Sequence, residues 1–395
     1  MSARGPKPVL FLTGHVPPER VGAFAALHER ERIEVALFGG RLRHGSEGRT
    51  GALPFPHREI AQRAALSLAA SGRFRAIICS IGGRVALPAG WAGSRRSRTP
   101  LILWSALWSH PRSAAHLLSY LPLARLYRTA DAIVTYGPHV SAYVRARGAR
   151  NVYEAPQAVD NDFWSAPGTG PPQDPRWPAE SAPKFLYVGR LEREKGIEVL
   201  LSAWRATQLQ APCAALILVG SGSLSAQART AEVGGHLDPT PEGAGFGGAV
   251  VALGRASAAE LRNFYAAADV LVLPSVPTAT FREPWGLVVN EAFNQGLPVI
   301  ATDAVGAAAG GLVRDCRNGL VVEAGSARAL AQAMRTLALD PGLRARLGAA
   351  AREDVAPYTY EAWAEGFSAA LASLGCSLRP ERGAGSVARG AHGLL

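Results

Sequence analysis

Short apolar runs alternate with stretches of helical apolar spacing, and this alternation extends over most of the 395 residues. In the first half, the strand-like runs are residues 9–12, 33–38, 76–81, 101–104 and 132–136. Helical spacing separates them at residues 22–31, 59–70 and 113–129. Strands that alternate with helices typically build a parallel sheet with helices on both faces. We therefore predict a doubly wound α/β domain in the first half.

A proline-rich stretch at residues 166–183 interrupts the alternation, which then starts again. The later strand-like runs are residues 185–189, 216–219, 250–253, 270–273, 299–301 and 320–322, and helical patterns separate them at 196–206, 258–267, 287–294 and 327–338. A helical region follows at 341–374. We predict a first domain over 1–165, a linker over 166–183 and a second domain over 184–357. A C-terminal helix at 358–375, placed to pack back on the first domain, and a flexible tail at 376–395 complete the prediction.

Neither hydropathy nor cysteine content indicates a membrane-spanning or secreted chain. No run approaches the 18 or more apolar residues of a transmembrane helix, and the apolar run at 9–12 is too short for the core of a signal peptide. The four cysteines are scattered, without the spacing of a metal site or a disulfide framework. We therefore expect a cytoplasmic protein that could lie peripherally on the inner face of a membrane.

Positive charge is concentrated in the first half. Residues 1–170 contain 22 lysines and arginines against 10 aspartates and glutamates, a net charge of +12, whereas the whole chain carries +11. One explanation is a compositional preference for arginine, since lysine occurs only as Lys7, Lys184 and Lys195. The other is a basic surface that faces an anionic membrane or a phosphate-bearing acceptor. Nucleic acid is a less suitable partner, because no basic motif interleaved with aromatic residues is present.

The leucine-rich helical stretch at 113–129 has a similar ambiguity. Arg112, Arg125 and Arg128 accompany its leucines, as in helices that lie on membrane surfaces. The same pattern also occurs in helices that simply pack a leucine face on a sheet.

The segment Arg282-Glu283-Pro284-Trp285-Gly286-Leu287-Val288-Val289-Asn290-Glu291 indicates the chemistry. It lies between two buried-strand patterns, and we expect a helix to begin near Pro284. With a helical rise, Glu283 and Glu291 would be roughly 12 Å apart. The free N–H groups of the helix could then hold a phosphate, and the two carboxylates could hold sugar and ribose hydroxyls. A glycosidase is disfavoured, because its two carboxylates are roughly 5–9.5 Å apart.

Two other motifs match by letter only. Residues 243–248 fit GxGxxG, but they precede a predicted strand, whereas a dinucleotide-binding loop follows one. Asp160-Asn161-Asp162 resembles a metal-binding DxD motif, yet the position also suits an Asx turn. We therefore predict no metal site and no cofactor.

Several segments of the second half resemble, in order, those of glycosyltransferase family 4, whose members have the GT-B fold. These segments are residues 188–196, 218–222, 253–255 with 269–275, 283–298 and 318–322, with Tyr358-Thr359-Tyr360 near the end. The stretch 155–160 resembles the family's interdomain segment. The resemblance extends over roughly 150–375 and is weak before that. It implies two Rossmann-like domains that face each other across a cleft.

The resemblance also assigns roles to individual residues. Arg190 and Lys195 are similar to the pair that neutralises the donor pyrophosphate, a role that suits two cations on a loop entering a helix. Glu283 resembles the residue that meets the transferred sugar, and Glu291 resembles the ribose-binding glutamate. The backbone N–H groups of three consecutive residues would bind the phosphate: Gly286, Leu287 and Val288.

The remaining candidates follow predicted strands. Arg255 and Ala256 lie where the family contacts the nucleobase, and Gly14 and Gly220 complete the predicted donor-binding set. A histidine near the sugar is usual in the first domain of this family. Here His110 is the candidate catalytic histidine, with His15 as a second one. The chain departs from the family at 305–311, where small residues replace an acidic position and predict a flexible loop.

The resemblance implies a retaining, metal-independent glycosyltransferase that moves a sugar from a UDP- or GDP-linked donor to a hydroxyl acceptor. The acceptor would be a growing glycan or a lipid-linked molecule, with an anionic membrane surface as a possible partner. Two alternatives stay open at this point. One is another GT-B enzyme, such as a nucleotide-sugar epimerase or a phosphorylase, and the other is a non-catalytic GT-B binding subunit.

Overall fold

The computed structural model describes residues 6–39, 52–178, 183–208, 214–233 and 249–378. The first domain contains a seven-stranded, fully parallel sheet with the strand order β3-β2-β1-β4-β5-β6-β7. Its strands β1 to β7 are Val9–Thr13, Ile33–Leu37, His57–Glu59, Ala76–Ser80, Leu101–Ser105, Ala132–Thr135 and Val152–Glu154. The central strands are buried on both faces and consist largely of apolar residues, as parallel strands require.

Helices α1 to α6 of this part are Val21–Glu31, Ala64–Ala69, Ala86–Ser97, Ala114–Thr129, Pro138–Arg145 and Asn161–Ser165. The predicted helix at 59–70 is partly wrong, since 57–59 form the edge strand β3 and α2 begins at Ala64. β3 is exposed at all three residues, so its sequence carries no apolar pattern that would have revealed it.

The second domain contains a six-stranded parallel sheet with the order β10-β9-β8-β11-β12-β13. Its strands β8 to β13 are Lys184–Val188, Ala215–Val219, Ala249–Gly254, Val270–Leu273, Val299–Thr302 and Gly319–Val322. Helices α7 to α14 are Ile197–Gln208, Ser225–Val233, Ala258–Ala267, Val288–Asn294, Gly306–Ala309, Ala327–Leu339, Pro341–Val355 and Tyr360–Ser373. The predicted pair of doubly wound parallel domains is confirmed.

The last helix, α14, packs on the first domain, so the chain passes between the domains twice. Trp363 and Phe367 are fully buried against the first sheet, in one cluster with Phe11, Phe24 and Trp104. The Trp363 ring lies 5.3 Å from Phe24 and 5.7 Å from Trp104. These large aromatic side chains bury extensive apolar surface, which is the main force that fixes α14 there.

A buried ion pair holds the residues that follow α14. The Arg75 guanidinium pairs with the fully buried Glu31 at 2.8 Å and donates to the carbonyl of Cys376 at 2.6 Å. Glu31 also accepts hydrogen bonds from Ser377 and from the backbone N–H of Leu378. Residues 376–378 are therefore attached to the first domain, whereas the rest of the predicted tail lies outside the described residues, as does the GxGxxG-like stretch.

Both sheets reverse their strand order at one point, and this positions the site. The reversal lies between β1 and β4 in the first sheet and between β8 and β11 in the second. In open α/β sheets, the loops that leave the carboxyl ends of such neighbouring strands diverge and form a crevice where ligands bind. None of the helices in the described residues has the length and apolar character needed to cross a bilayer.

Candidate active site

Lys195 and Glu283 meet at the reversal point of the second sheet. Lys195 ends a single 3-10 turn in the loop after β8, and Glu283 lies in the loop after β11. The Lys195 ammonium forms an ion pair with Oε2 of Glu283, which also accepts a hydrogen bond from the Ser275 hydroxyl at 3.0 Å. The side chains are only 13% and 7% exposed, respectively, so the pair is largely removed from water. The structure thus brings together two residues that the sequence predicted to share a site.

Arg190, the other predicted phosphate ligand, follows β8 on the same loop. Its Nη2 donates to Oε1 of Glu194 at 2.9 Å, and both side chains are about a quarter exposed. Both predicted phosphate cations are therefore paired with carboxylates. An incoming diphosphate would compete with these carboxylates for the positive charge.

Glu291 lies on α10, where its Oε2 accepts a hydrogen bond from the Tyr265 hydroxyl at 2.7 Å. Burial raises the pKa of this carboxyl group to about 7, and the Tyr265 hydrogen bond opposes the shift. The charge of Glu19 in the first domain raises the pKa further. No cation compensates the carboxylate among the described residues. The Glu291 carboxylate is a strong hydrogen-bond acceptor, and two vicinal hydroxyl groups of a ligand could donate to it.

The prediction that the helix begins near Pro284 is wrong. α10 starts at Val288, because residues before it form an extended loop in which Glu283 makes a β-bridge with Val305. Gly286 adopts a φ of +99°, a conformation that favours glycine, and a Cβ there would lie 2.6 Å from a methyl group of Leu273. The helical rise used to place Glu283 and Glu291 roughly 12 Å apart therefore does not apply to this span.

The backbone around the start of α10 offers hydrogen-bond donors. Within the described chain, the N–H groups of Leu287 and Val288 have no acceptor. Both residues are only partly buried, so a ligand can reach them. Such N–H groups at the beginning of a helix bind anions well.

Gly220 lies at a close approach between two loops of the second domain. A Cβ at Gly220 would be 1.8 Å from the carbonyl oxygen of Gly189, so only glycine allows the loops after β8 and β9 to pass each other. The Gly220 N–H also donates to the carbonyl of Gly254 at the end of β10, and Arg255 and Ala256 continue from there. The predicted donor-binding positions after β8, β9 and β10 thus lie along one edge of the sheet.

The first-domain candidates occupy different places. Gly14 and His15 follow β1, where Gly14 accepts a hydrogen bond from the N–H of Gly39, and burial lowers the pKa of His15. His110 lines a cavity in the first domain, and its Nε2–H donates to the carbonyl of His116 at 2.6 Å. Gly14, His15 and His110 therefore belong to the opposite domain from the remaining predicted donor ligands.

Two residues that the sequence did not single out connect the first domain to the loop between β11 and α10, here called the reaction loop, which carries Glu283 and Pro284. The indole N–H of Trp108 donates to the Glu283 carbonyl at 3.0 Å, and Nε2–H of His139 donates to the Pro284 carbonyl at 3.1 Å. Burial lowers the pKa of His139, which favours the neutral ring with its proton on Nε2. His139 is the second residue of α5, shortly after the end of β6, and a histidine near the carboxyl end of a parallel strand was the available signal.

The prediction of a flexible loop at 305–311 is wrong, because part of this segment is helical. Residues 306–309 form the short helix α11, and the N–H groups of Gly306 and Ala307 donate to the carbonyls of Glu283 and Trp285. A Cβ on Gly306 would lie 1.9 Å from the Pro284 carbonyl oxygen. The small side chains therefore allow close packing under the reaction loop.

The DxD-like motif has a structural role. Asp160 caps α6 by accepting a hydrogen bond from the Phe163 N–H at 3.0 Å. Among the residues that the structure describes, no three His, Cys, Asp or Glu side chains are grouped as metal ligands.

Comparisons with known proteins identify the fold and the relatives of the second half of the chain. Residues 182–340 match the family model described as Glycosyl transferases group 1, which covers the second sheet and its reaction loop. Among solved structures, Anabaena HepE in complex with UDP and glucose superimposes with a TM-score of 0.68 over 93% of this chain and 100% of that one, at 20% identity. The fold is GT-B. A sucrose-phosphate synthase from Thermosynechococcus elongatus agrees, with a TM-score of 0.65, 23% identity and coverage of 93% and 99% of the two chains.

Two relatives illustrate the sequence similarity. The D-inositol 3-phosphate glycosyltransferase of Corynebacterium diphtheriae is 34% identical over 184 residues, which are 46% of this chain and 40% of that protein. A GDP-mannose-dependent alpha-(1-6)-phosphatidylinositol monomannoside mannosyltransferase of Mycobacterium tuberculosis is 30% identical over 252 residues, 60% and 61% of the two chains. The GT-B chain described here thus matches about 40–60% of the length of these relatives.

Proposed function

We propose that this chain is a glycosyltransferase that moves a sugar from a nucleotide-diphosphate donor to a hydroxyl group of an acceptor. The observation that carries the proposal is the Lys195–Glu283 pair at the reversal point of the second sheet, inside the segment that matches a glycosyltransferase family. The GT-B fold and the glycosyltransferase relatives support it. They also favour transfer over an epimerase, a phosphorylase or a binding subunit.

The donor would bind mainly to the second domain. The Glu291 carboxylate would accept hydrogen bonds from the ribose hydroxyls, and Arg255 and Ala256 would border the base. The diphosphate would contact Arg190, Lys195 and the free N–H groups at the start of α10. UDP and GDP are the proposed nucleotides, with no cofactor and no metal ion needed.

We assign the reaction to the retaining class and to glycosyltransferase family 4, in keeping with the motif resemblance. The bond between the anomeric carbon and the diphosphate oxygen would break with its electron pair on the diphosphate, where Lys195 and Arg190 stabilise the charge. The acceptor oxygen would bond to the same face of the sugar and pass its proton to the leaving phosphate oxygen. Glu283, released from part of its ion pair, would hold a sugar hydroxyl.

The acceptor would bind to the basic first domain, on an anionic membrane surface or as part of a glycan. Leu117, Leu118 and Leu121 of α4 are 61%, 83% and 75% exposed, and Arg125 and Arg128 follow on the same helix. An exposed leucine edge beside arginines suits peripheral attachment to anionic lipid on the cytoplasmic face of a membrane. The relative that acts on phosphatidylinositol monomannoside supports a lipid-linked acceptor.

A nucleotide screen tests the proposal. Titration of UDP, GDP, ADP and TDP by calorimetry should identify one preferred diphosphate, and its sugar conjugates should then be consumed only when an acceptor is present. Lys195→Met should slow the transfer at saturating donor, while Lys7→Met, an exposed lysine of the first domain, serves as the control. Binding of none of the four nucleotides would refute the proposal. Nucleotide-sugar turnover to an epimer or a sugar phosphate would support the alternative enzymes instead.

A further inference from the structure

A cavity of about 460 Å³ lies in the first domain, beside the interdomain cleft. Its walls come from the loop after β5, from helices α4 and α5, and from the turn that follows α5. The residues that define its chemistry are Trp108, His110, Arg112, Tyr120, Tyr143 and Arg147. Trp108 is also the residue that donates to the Glu283 carbonyl, so the cavity and the reaction loop share one wall.

Three polar atoms of this lining are buried without a hydrogen-bond partner in the described part of the chain. They are Nδ1 of His110, the hydroxyl of Tyr143 and Nε of Arg147. The other ring nitrogen of His110, Nε2, donates to the His116 carbonyl. The Arg147 guanidinium stacks 3.4 Å from the centre of the Tyr143 ring. A buried polar group without a partner is unfavourable, and the two donors among them, on Tyr143 and Arg147, favour a ligand that accepts hydrogen bonds.

The charge of the cavity specifies that ligand as an anion. Arg112 and Arg147 both line it, and none of the described residues of its lining carries a carboxylate. The guanidinium of Arg282 adds a third positive charge behind the wall, 3.7 Å from the Trp108 ring. A phosphoryl group suits this set, because its oxygens can accept from a guanidinium and a phenol together. A volume of about 460 Å³ also leaves room for a group attached to the phosphate.

We propose that this cavity binds the phosphoryl group of a phosphate-bearing acceptor and so directs the acceptor hydroxyl to the reaction loop. The proposal rests on the proposed transferase function. The phosphate belongs either to a small soluble ester or to a lipid headgroup. In the second case, the exposed Leu117 at the edge of the cavity lies beside the apolar part of the lipid.

Two variants and one control test the cavity. Arg147→Gln removes a charge, and Tyr143→Phe removes only the hydroxyl while it keeps the ring under the guanidinium. Arg63→Gln removes an exposed arginine of the same domain that does not line the cavity. Glycerol 3-phosphate and inorganic phosphate are titrated by phosphorus NMR, and vesicles of phosphatidylcholine with or without phosphatidylglycerol are sedimented with each protein.

We expect Arg147→Gln to raise the Kd for glycerol 3-phosphate at least about tenfold, and Tyr143→Phe about threefold or more, with Arg63→Gln unchanged. If the phosphate belongs to a lipid headgroup, we expect the variants to lose binding to vesicles with phosphatidylglycerol in the same order, with Arg147→Gln losing most and Arg63→Gln unchanged. The titration of the preferred nucleotide diphosphate should be unaffected in all three variants, which separates this proposal from the donor site.

Two results would overturn the cavity as a phosphate site. One is equal binding of phosphate esters and vesicles by the wild-type chain and both cavity variants. The other is a wild-type chain that binds neither probe. If phosphate binds but no nucleotide does, the cavity stands and the transferase proposal fails.

Discussion

Glu291 should make the folded chain less stable as the pH rises. Its pKa is raised from 4.5 to about 7, chiefly by burial, so between these pH values the folded state binds more protons than the unfolded state. Stability is therefore highest below pH 4.5 and falls until about pH 7, above which the penalty is complete. At about 1.4 kcal/mol per pH unit the full penalty is about 3 kcal/mol, and partial exposure of the residue reduces it to about 2 kcal/mol.

Glu291→Gln removes the charge and keeps an oxygen that can accept from Tyr265. We expect the variant to exceed the wild type in free energy of unfolding by about 2 kcal/mol at pH 8, with only a small difference at pH 5. Urea unfolding monitored by tryptophan fluorescence at both pH values measures this. Glu29→Gln, at an exposed glutamate of α1, is the control.

The same substitution should weaken nucleotide binding by about 1–1.5 kcal/mol, because a hydrogen bond to a charged group contributes about 1.5–3 kcal/mol and one to a neutral group about 0.5–1.5 kcal/mol. The wild type should therefore bind nucleotide more tightly as the pH rises from 6 to 8, and the variant should not. A stability difference between variant and wild type that is the same at both pH values would refute the burial argument. Unchanged nucleotide affinity would remove Glu291 from the ribose site.

Four further predictions concern the reaction loop, the metal requirement and the surface. Lys195→Met should lower the free energy of unfolding in urea by about 3 kcal/mol, because removal of one partner alone leaves a buried charge. Adding Glu283→Gln should restore part of that free energy, and a double variant whose loss equals the sum of the two single losses would contradict a coupled pair. Gly306→Ala should lower both stability and nucleotide affinity through its clash with the Pro284 carbonyl, whereas Gly342→Ala, with 3.3 Å to its nearest atom, should not. Transfer should persist in a chelator, and loss that manganese restores would contradict metal independence. The chain should sediment with anionic vesicles and be released by salt; equal recovery with neutral and anionic vesicles would favour a soluble acceptor.

The sequence was sufficient for features that depend on local pattern. The buried strands have near-continuous apolar runs, and therefore the parallel sheets could be predicted. The assignment of Lys195 and Glu283 to one site came from the motif resemblance, and the structure places the two side chains in contact. Features that depend on contacts between residues distant in sequence could not be predicted. The start of α10 at Val288 depends on the bridge between Glu283 and Val305. The small residues around Gly306 predict flexibility, because nothing in the local sequence shows that tertiary packing brings the Pro284 carbonyl against this glycine.

The contacts of the first domain with the reaction loop show the same limit. Trp108 and His139 are isolated residues with no motif around them, and their roles follow from the approach of two domains. The cavity next to them also combines residues from one loop and two helices, with no spacing that a sequence pattern could reveal.

The packing of α14 on the first sheet makes the first domain discontinuous in sequence. A chain cut short after residue 165 would leave Phe11, Phe24 and Trp104 without Trp363 and Phe367, and would expose an aromatic face to water. Such a fragment should aggregate unless residues 358–378 are supplied, either fused to it or as a separate peptide. For the same reason, a single proteolytic cut in the proline-rich stretch should leave the two pieces associated under native conditions, and only a denaturant should separate them.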